Sequence, residues 1–258
     1  MTKIWRTRFP YLGLAASALT ALVAYQSVRR FAAPGELTFS AYLVTSINIC
    51  STAIIPIFST VFAATLIAGE TSRGTLRSIL PRPIRRSQFL NAKLLAGFLY
   101  LLLLFAANLA VSIPIAMQFP AHPALDELAQ LPSAGLQVGI FALGFLLTLI
   151  PHLATVCFGF MVSVLSRSLV TSIGVAVGII LSLMPLQVLI HFGSFDLEQW
   201  LFTNYYDAGM KIVANKTSAI YDTWAQESVY RLLGTGVVSA VVFLAISYWI
   251  FLRRDINE

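Results

Sequence analysis

Charge is what this sequence has least of. Asp, Glu, Lys and Arg make up 11% of its 258 residues and hydrophobic residues 58%, whereas about a quarter of a soluble globular domain is charged. An ordinary soluble domain is excluded. Cysteine is scarce as well: Cys50 and Cys157 both fall in apolar runs, which excludes a disulfide framework and fits small buried hydrophobes with free thiols. The three histidines, His122, His152 and His191, are too dispersed to suggest a metal site. There is no His-Glu-x-x-His, no Gly-x-Ser-x-Gly and no pair of intramembrane Asp, so an enzyme of the intramembrane hydrolase kind is not expected. Nor does any ionised residue sit securely inside an apolar run. Ion-coupled carriers use such residues as relays, and the single candidate, His152 beside Pro151, fits a structural hydrogen bonder better. No internal duplication of the kind that builds many secondary carriers is visible. The net charge of +6 is confined to loops, with no basic face interleaved by aromatics, which excludes a nucleic-acid surface.

What the sequence has is long apolar runs. Six are of spanning length, roughly 20 residues or more, at residues 10–28, 40–68, 94–117, 135–165, 169–190 and 232–252. The expected fold is therefore all-α, a single polytopic transmembrane domain over residues 1–258. The first run follows Lys3, Arg6 and Arg8 and resembles a signal peptide in that respect, but it is longer than a typical signal core, so a retained helix is expected. The second run is long enough to tilt or kink, with Pro56 the place for it. A tight turn at Ser166, Arg167 and Ser168 joins the fourth and fifth runs. Residues 191–231 are aromatic and mixed in charge, and are expected to form short helices in or dipping into the outer interface.

Between the second and third runs lies the loop at residues 69–93. It carries Arg73, Arg77, Arg82, Arg85, Arg86 and Lys93, with Glu70 its one acid. Thr71 or Ser72 can cap a short helix starting near Arg73, with Leu76, Ile79 and Leu80 on one face. Pro81 and Pro83 end it, and Ser87 can cap the helix that follows. Gly69-x-x-x-x-Gly74-Thr75-Leu76 half-matches a phosphate-binding loop but lacks the Lys and hydroxyl residue in register, so the chain is expected to bind no nucleotide.

Cations fix the orientation. Placing the central loop and both termini on the cytoplasmic side puts 12 Lys and Arg inside and 5 outside, while most acids fall outside. Arg29 and Arg30 are the awkward outside pair, and their stems are long enough to snorkel.

Glu70-x-x-x-Gly74-Thr75-Leu76, followed by Leu80, Pro81 or Pro83, Arg86, Leu90 and Lys93, resembles the cytoplasmic loop of ABC-2-type transporter permeases. The resemblance implies a coupling helix that seats in a groove of a separate ATPase subunit, which binds the ATP and Mg. It implies an ATPase-facing set of Glu70, Arg73, Gly74, Thr75, Leu76, Arg77, Ile79, Leu80, Pro81, Arg82, Pro83, Arg85 and Arg86. It further implies a transporter, expected to be an exporter, in a bacterial-type inner membrane, with two copies or a homologous pair forming the path. The rival expectation is a secondary carrier or a structural membrane protein without an ATPase.

The middle of the second run is polar, with Thr45, Ser46, Asn48, Ser51 and Thr52. Such a stripe is either interhelical packing or the wall of a substrate path with Ser182 and Gln187 opposite. The resemblance implies that the second and fifth spans border that path. Gly174-x-x-x-Gly178 suits close helix approach and is a candidate for part of a subunit contact.

Overall fold

The computed structural model describes residues 8–31, 37–74, 85–120, 134–189, 191–192, 195–217 and 227–253. Their order is α1 (Phe9–Phe31), α2 (Phe39–Ile49), a π turn (Cys50–Ile54), α3 (Ile55–Thr71), α4 (Arg86–Ala116), α5 (Ala134–Leu165) and α6 (Leu169–Leu189). There follow β1 (His191–Phe192), β2 (Phe195–Asp196), two 3-10 turns (Leu197–Trp200 and Phe202–Tyr205), α7 (Ala208–Thr217) and α8 (Glu227–Arg253). Apart from the two-residue antiparallel ladder of β1 with β2, regular structure among the described residues is helical.

Five helices among the described residues are long and apolar enough to cross a membrane: Phe9–Phe31, Phe39–Thr71, Arg86–Ala116, Val138–Leu165 and Ser228–Arg253. Leu169–Leu183 of α6 is a shorter apolar stretch. The chain is thus a helical polytopic membrane protein. Backbone polar groups inside a bilayer must be satisfied within the chain, which is why the apolar runs are helices.

Element ends follow local chemistry. Thr38 caps α2, its hydroxyl accepting the Ala41 N–H at 3.2 Å. Arg29 and Arg30 stand in the last turn of α1, where the helix dipole favours cations. Arg29 also donates to the Tyr25 hydroxyl at 3.1 Å and lies over its ring, which seats one of the awkward pair in an aromatic interface. The 33 residues from Phe39 to Thr71 would measure roughly 50 Å as a straight helix, well beyond the roughly 30 Å of hydrocarbon. The expected disturbance at Pro56 takes the form of the π turn immediately before it. Pro56 has no N–H and its ring crowds the preceding carbonyls, and the wider turn lets the Ile55 N–H bond the Cys50 carbonyl instead.

Two compact units divide the chain. The first comprises Met1–Ile55, Leu103–Ile150 and Tyr205–Leu233. Its core packs Ala24, Val28, Tyr42, Leu43 and Ala116 together, with Phe119 tilted against Tyr42 at 5.4 Å. A second cluster joins Leu147, Tyr205, Ile212, Val229 and Leu232. Here α7 comes so close to α5 that a Cβ on Gly209 would lie 2.7 Å from the Thr148 backbone nitrogen. Only glycine fits.

The second unit comprises Pro56–Leu102, Pro151–Asn204 and Gly234–Glu258. Phe62 stacks on Tyr100 at 4.1 Å, and Phe158 meets Phe243 edge-on. Gly159 lets α5 reach α3, since a Cβ there would sit 2.8 Å from the Thr60 carbonyl oxygen. His152 is fully buried in this unit.

Candidate functional site: the ends of the central loop and the polar second span

The central loop is framed by two helix ends. Thr71 is the last residue of α3, and Gly74 takes a left-handed φ of 66° after it. The hydroxyls of Thr71 and Ser72 turn back onto the carbonyls of Ile67 and Gly69 at the end of α3; the short helix that either was expected to cap lies outside the described residues. On the far side α4 begins at Arg86, one residue before Ser87, the expected cap, and ahead of the apolar run that starts at Leu94. The cap is Gln88 rather than Ser87: its side-chain oxygen accepts the Arg85 N–H at 3.2 Å, the returning half of a capping box. Residues 86–93, the last part of the stretch between the apolar runs, are therefore the first turns of this helix. Glu70, Arg73, Gly74, Arg85 and Arg86 are described; Thr75, Leu76, Arg77, Ile79, Leu80, Pro81, Arg82 and Pro83, with the expected short helix, lie outside the described residues.

Across the frame Glu70 and Lys93 form an ion pair, with side chains 22% and 16% exposed. At that shielding their attraction exceeds that of an open surface pair. Lys93 also lies over the Phe89 ring. Two hydroxyls fix α3 just before Glu70. Ser163 accepts the N–H groups of Ile67 and Ala68 at 2.9 Å each and donates to the Ala64 carbonyl at 2.7 Å. Ser172 donates to the same carbonyl at 2.8 Å. Arg86, half-buried, reaches the Leu252 carbonyl of α8 at 3.3 Å.

A family match spans almost the whole chain: residues 14–257 fit the model described as "Protein of unknown function (DUF2705)". The chain belongs to the DUF2705 family. No curated protein matches it.

In the first unit of this DUF2705 chain the second-span polar residues divide by partner. Thr45 and Thr52 donate to their own helix, to the carbonyls of Ala41 and Asn48, both at 2.8 Å. Ser51 donates to the Tyr206 carbonyl at 2.6 Å and so docks the segment leading into α7. Ser46, fully buried, shares a 2.6 Å hydrogen bond with Ser112. These two are packing, the first of the two expected uses. Asn48 differs. Its Oδ1 is buried without a hydrogen-bond partner, and with Thr45 and Thr52 it lies on one partly exposed helix face. Ser182 of α6 is exposed and bonds the Gly178 carbonyl, while the Gln187 side chain lies outside the described residues. In α6 itself, a Cβ on Gly174 or Gly178 would meet nothing within 4 Å, so that face is open in the single chain.

Asn108 is the buried residue the sequence signals but does not explain. From the middle of α4 its amide donates to the Ser17 carbonyl at 3.2 Å, the Thr20 hydroxyl at 2.8 Å and the Ser46 hydroxyl at 3.1 Å. One side chain thus ties α4 to α1 and α2.

Proposed function

We propose that this chain is the membrane-spanning subunit of an ABC-2-type ATP-driven exporter. In this reading α6 is a sixth span and both termini and the central loop are cytoplasmic. The observation that carries it is the frame around that loop: Gly74 ending α3, Gln88 capping α4, and the Glu70–Lys93 pair tying the two helices. The caps are what any helix end needs, but a loop that served only to connect two spans would not need the Glu70–Lys93 tie across its base. Held this way, an amphipathic segment with Leu76, Ile79 and Leu80 on one face rides on two fixed helix ends. It would seat in a groove of a separate ATPase subunit, with apolar contact supplying affinity and Arg73, Arg77, Arg82 and Arg85 orientation. Arg86, bonded to Leu252, anchors the base of the element.

A second copy, or a homologous chain, completes the path. The open face of Thr45, Asn48 and Thr52 then borders the route. An amide turned to lipid would forfeit its hydrogen bonds, whereas a hydrated path supplies them. Closure of the ATPases on ATP moves the loop element, and the permease pair shifts between inward-facing and outward-facing states.

Co-purification tests this. Detergent-extracted wild type is expected to retain an ATPase encoded beside it, while Leu80→Asp and the pair Arg82→Glu with Arg77→Glu release it and keep the same elution volume. Equal retention by wild type and variants, or none by either, would remove the transporter reading and favour a carrier or structural protein.

A further inference from the structure

At one end of the second unit, the start of α4 meets the end of α8. Arg86 donates to the Leu252 carbonyl, Phe89 stacks with Phe251 at 6.0 Å, and Tyr248 hydrogen-bonds Asn91. The contact gathers cations. Arg85 is exposed immediately before α4, and the first turn of α4 contains no acid. Arg253 is exposed in the last turn of α8 and lies over the Trp249 ring, 4.8 Å from its centroid. Glu70, the acid of α3, is engaged by Lys93.

Below this patch runs an apolar track. Val238, Val242, Ile246 and Trp249 are 61%, 45%, 36% and 58% exposed, and their spacing of four, four and three puts them on one face of α8. Arg253 continues that face one turn further. From Val238 to Trp249 the helix rises roughly 16 Å, about the hydrocarbon depth of one leaflet. Leu95 and Leu99 of α4 are likewise exposed. The sequence of chemistries along α8, aliphatic, then indole, then guanidinium, is that of a phospholipid from chain to headgroup.

We propose that Arg86, Arg253 and Trp249 form a binding site for an anionic phospholipid. The phosphodiester sits among the guanidinium groups, which offer planar paired donors. The indole lies at glycerol depth, and one acyl chain follows Val242 and Val238. A free phosphate would use the cations but not the track, and a zwitterionic lipid the track but not the net charge. The site needs no ATPase, so it stands or falls apart from the transporter reading.

Native mass spectrometry of the full chain in detergent tests the assignment, with phosphatidylglycerol and phosphatidylcholine of identical acyl chains as probes. Wild type is expected to retain phosphatidylglycerol preferentially. Arg253→Gln is expected to lower that retention about fivefold, the worth of one interfacial cation, and Trp249→Leu to lower retention of both lipids. Arg253→Lys, which keeps the charge, should fall between, and Arg29→Gln with Arg30→Gln should change nothing. Equal retention of the two lipids by wild type, or no loss in Arg253→Gln protein that elutes as wild type does, would overturn the site. So would displacement of the lipid by millimolar inorganic phosphate, which would make it an anion site without a lipid track.

Discussion

Ser51 donates its hydroxyl to the carbonyl of Tyr206, 155 residues away, at 2.6 Å in a buried setting. Ser51 lies within the π turn, so the one irregular point of the second span is also where the segment entering α7 is held. Pro56 creates the need for the wider turn, and the turn presents Ser51 to Tyr206. Backbone irregularity and tertiary contact have the same cause.

Ser51→Ala should therefore loosen that segment more than it loosens the fold. The lost hydrogen bond is worth about 0.5–1.5 kcal/mol. Hydrogen exchange should quicken in residues 205–213, where Tyr206, Met210 and Val213 are buried, while α4 keeps its protection. Uniform loss of protection would mean that Ser51 supports the bundle as a whole.

Asn108 makes a sharper case. Asn108→Leu removes three interhelical hydrogen bonds at once, although Thr20 keeps its bond to the Ser17 carbonyl and Ser46 its bond to Ser112. We expect a loss of about 1–3 kcal/mol, several times the average interhelical hydrogen bond in a membrane. Asn108→Gln keeps the amide chemistry but misplaces it, and should recover only part of the loss. Thermal unfolding in one detergent ranks the three proteins. Wild-type stability in Asn108→Leu would show the cluster to be dispensable.

Much of this was legible in the sequence, and the residues show where legibility stopped. Hydropathy placed the apolar runs because it measures the cost of exposing a helix to lipid. It set the start of the third run at Leu94 because Arg86, Ser87, Gln88, Asn91 and Lys93 interrupt the apolar pattern before it, yet a helix continues wherever its hydrogen bonds do, and Gln88 supplies the cap at Arg85. Pro56 signalled a break but not its kind. The three groups that the Asn108 amide donates to lie 62 to 91 residues away, and no local pattern encodes them. The pairing of His191 and Phe192 with Asp196 and Phe195 had no local signature either. The polar stripe was correctly noticed, but only side-chain geometry separated Ser46 and Ser51, which face protein, from Asn48.

Gly209 offers a steric test. The Gly209 position faces the backbone of Gly144 and Thr148, so Gly209→Ala forces α7 away from α5. Overpacking of this kind costs about 1–3 kcal/mol. Gly174→Ala is the control, because a methyl group there meets nothing within the chain. Melting temperatures should separate the two, with Gly209→Ala lowered and Gly174→Ala unchanged in isolated protomers. A lowered value for Gly174→Ala confined to oligomeric fractions would place Gly174 in a subunit contact.

The Glu70–Lys93 pair separates a structural tie from a transmitting one. Removing one partner leaves the other charge partly buried, and Glu70→Gln or Lys93→Gln should each cost about 1–3 kcal/mol, between the exposed and buried limits. Exchanging the charges, Glu70→Lys with Lys93→Glu, should restore most of the stability, since the attraction survives the swap. A double-mutant cycle in 0.15 and 1 M salt measures the coupling, and shielding by the protein predicts that it weakens only modestly at high salt. If the swap restores stability and also ATPase retention, the pair serves to hold α3 and α4 in register. If stability returns while ATPase retention does not, Glu70 itself meets the partner, and the loop frame and the docking surface share that residue.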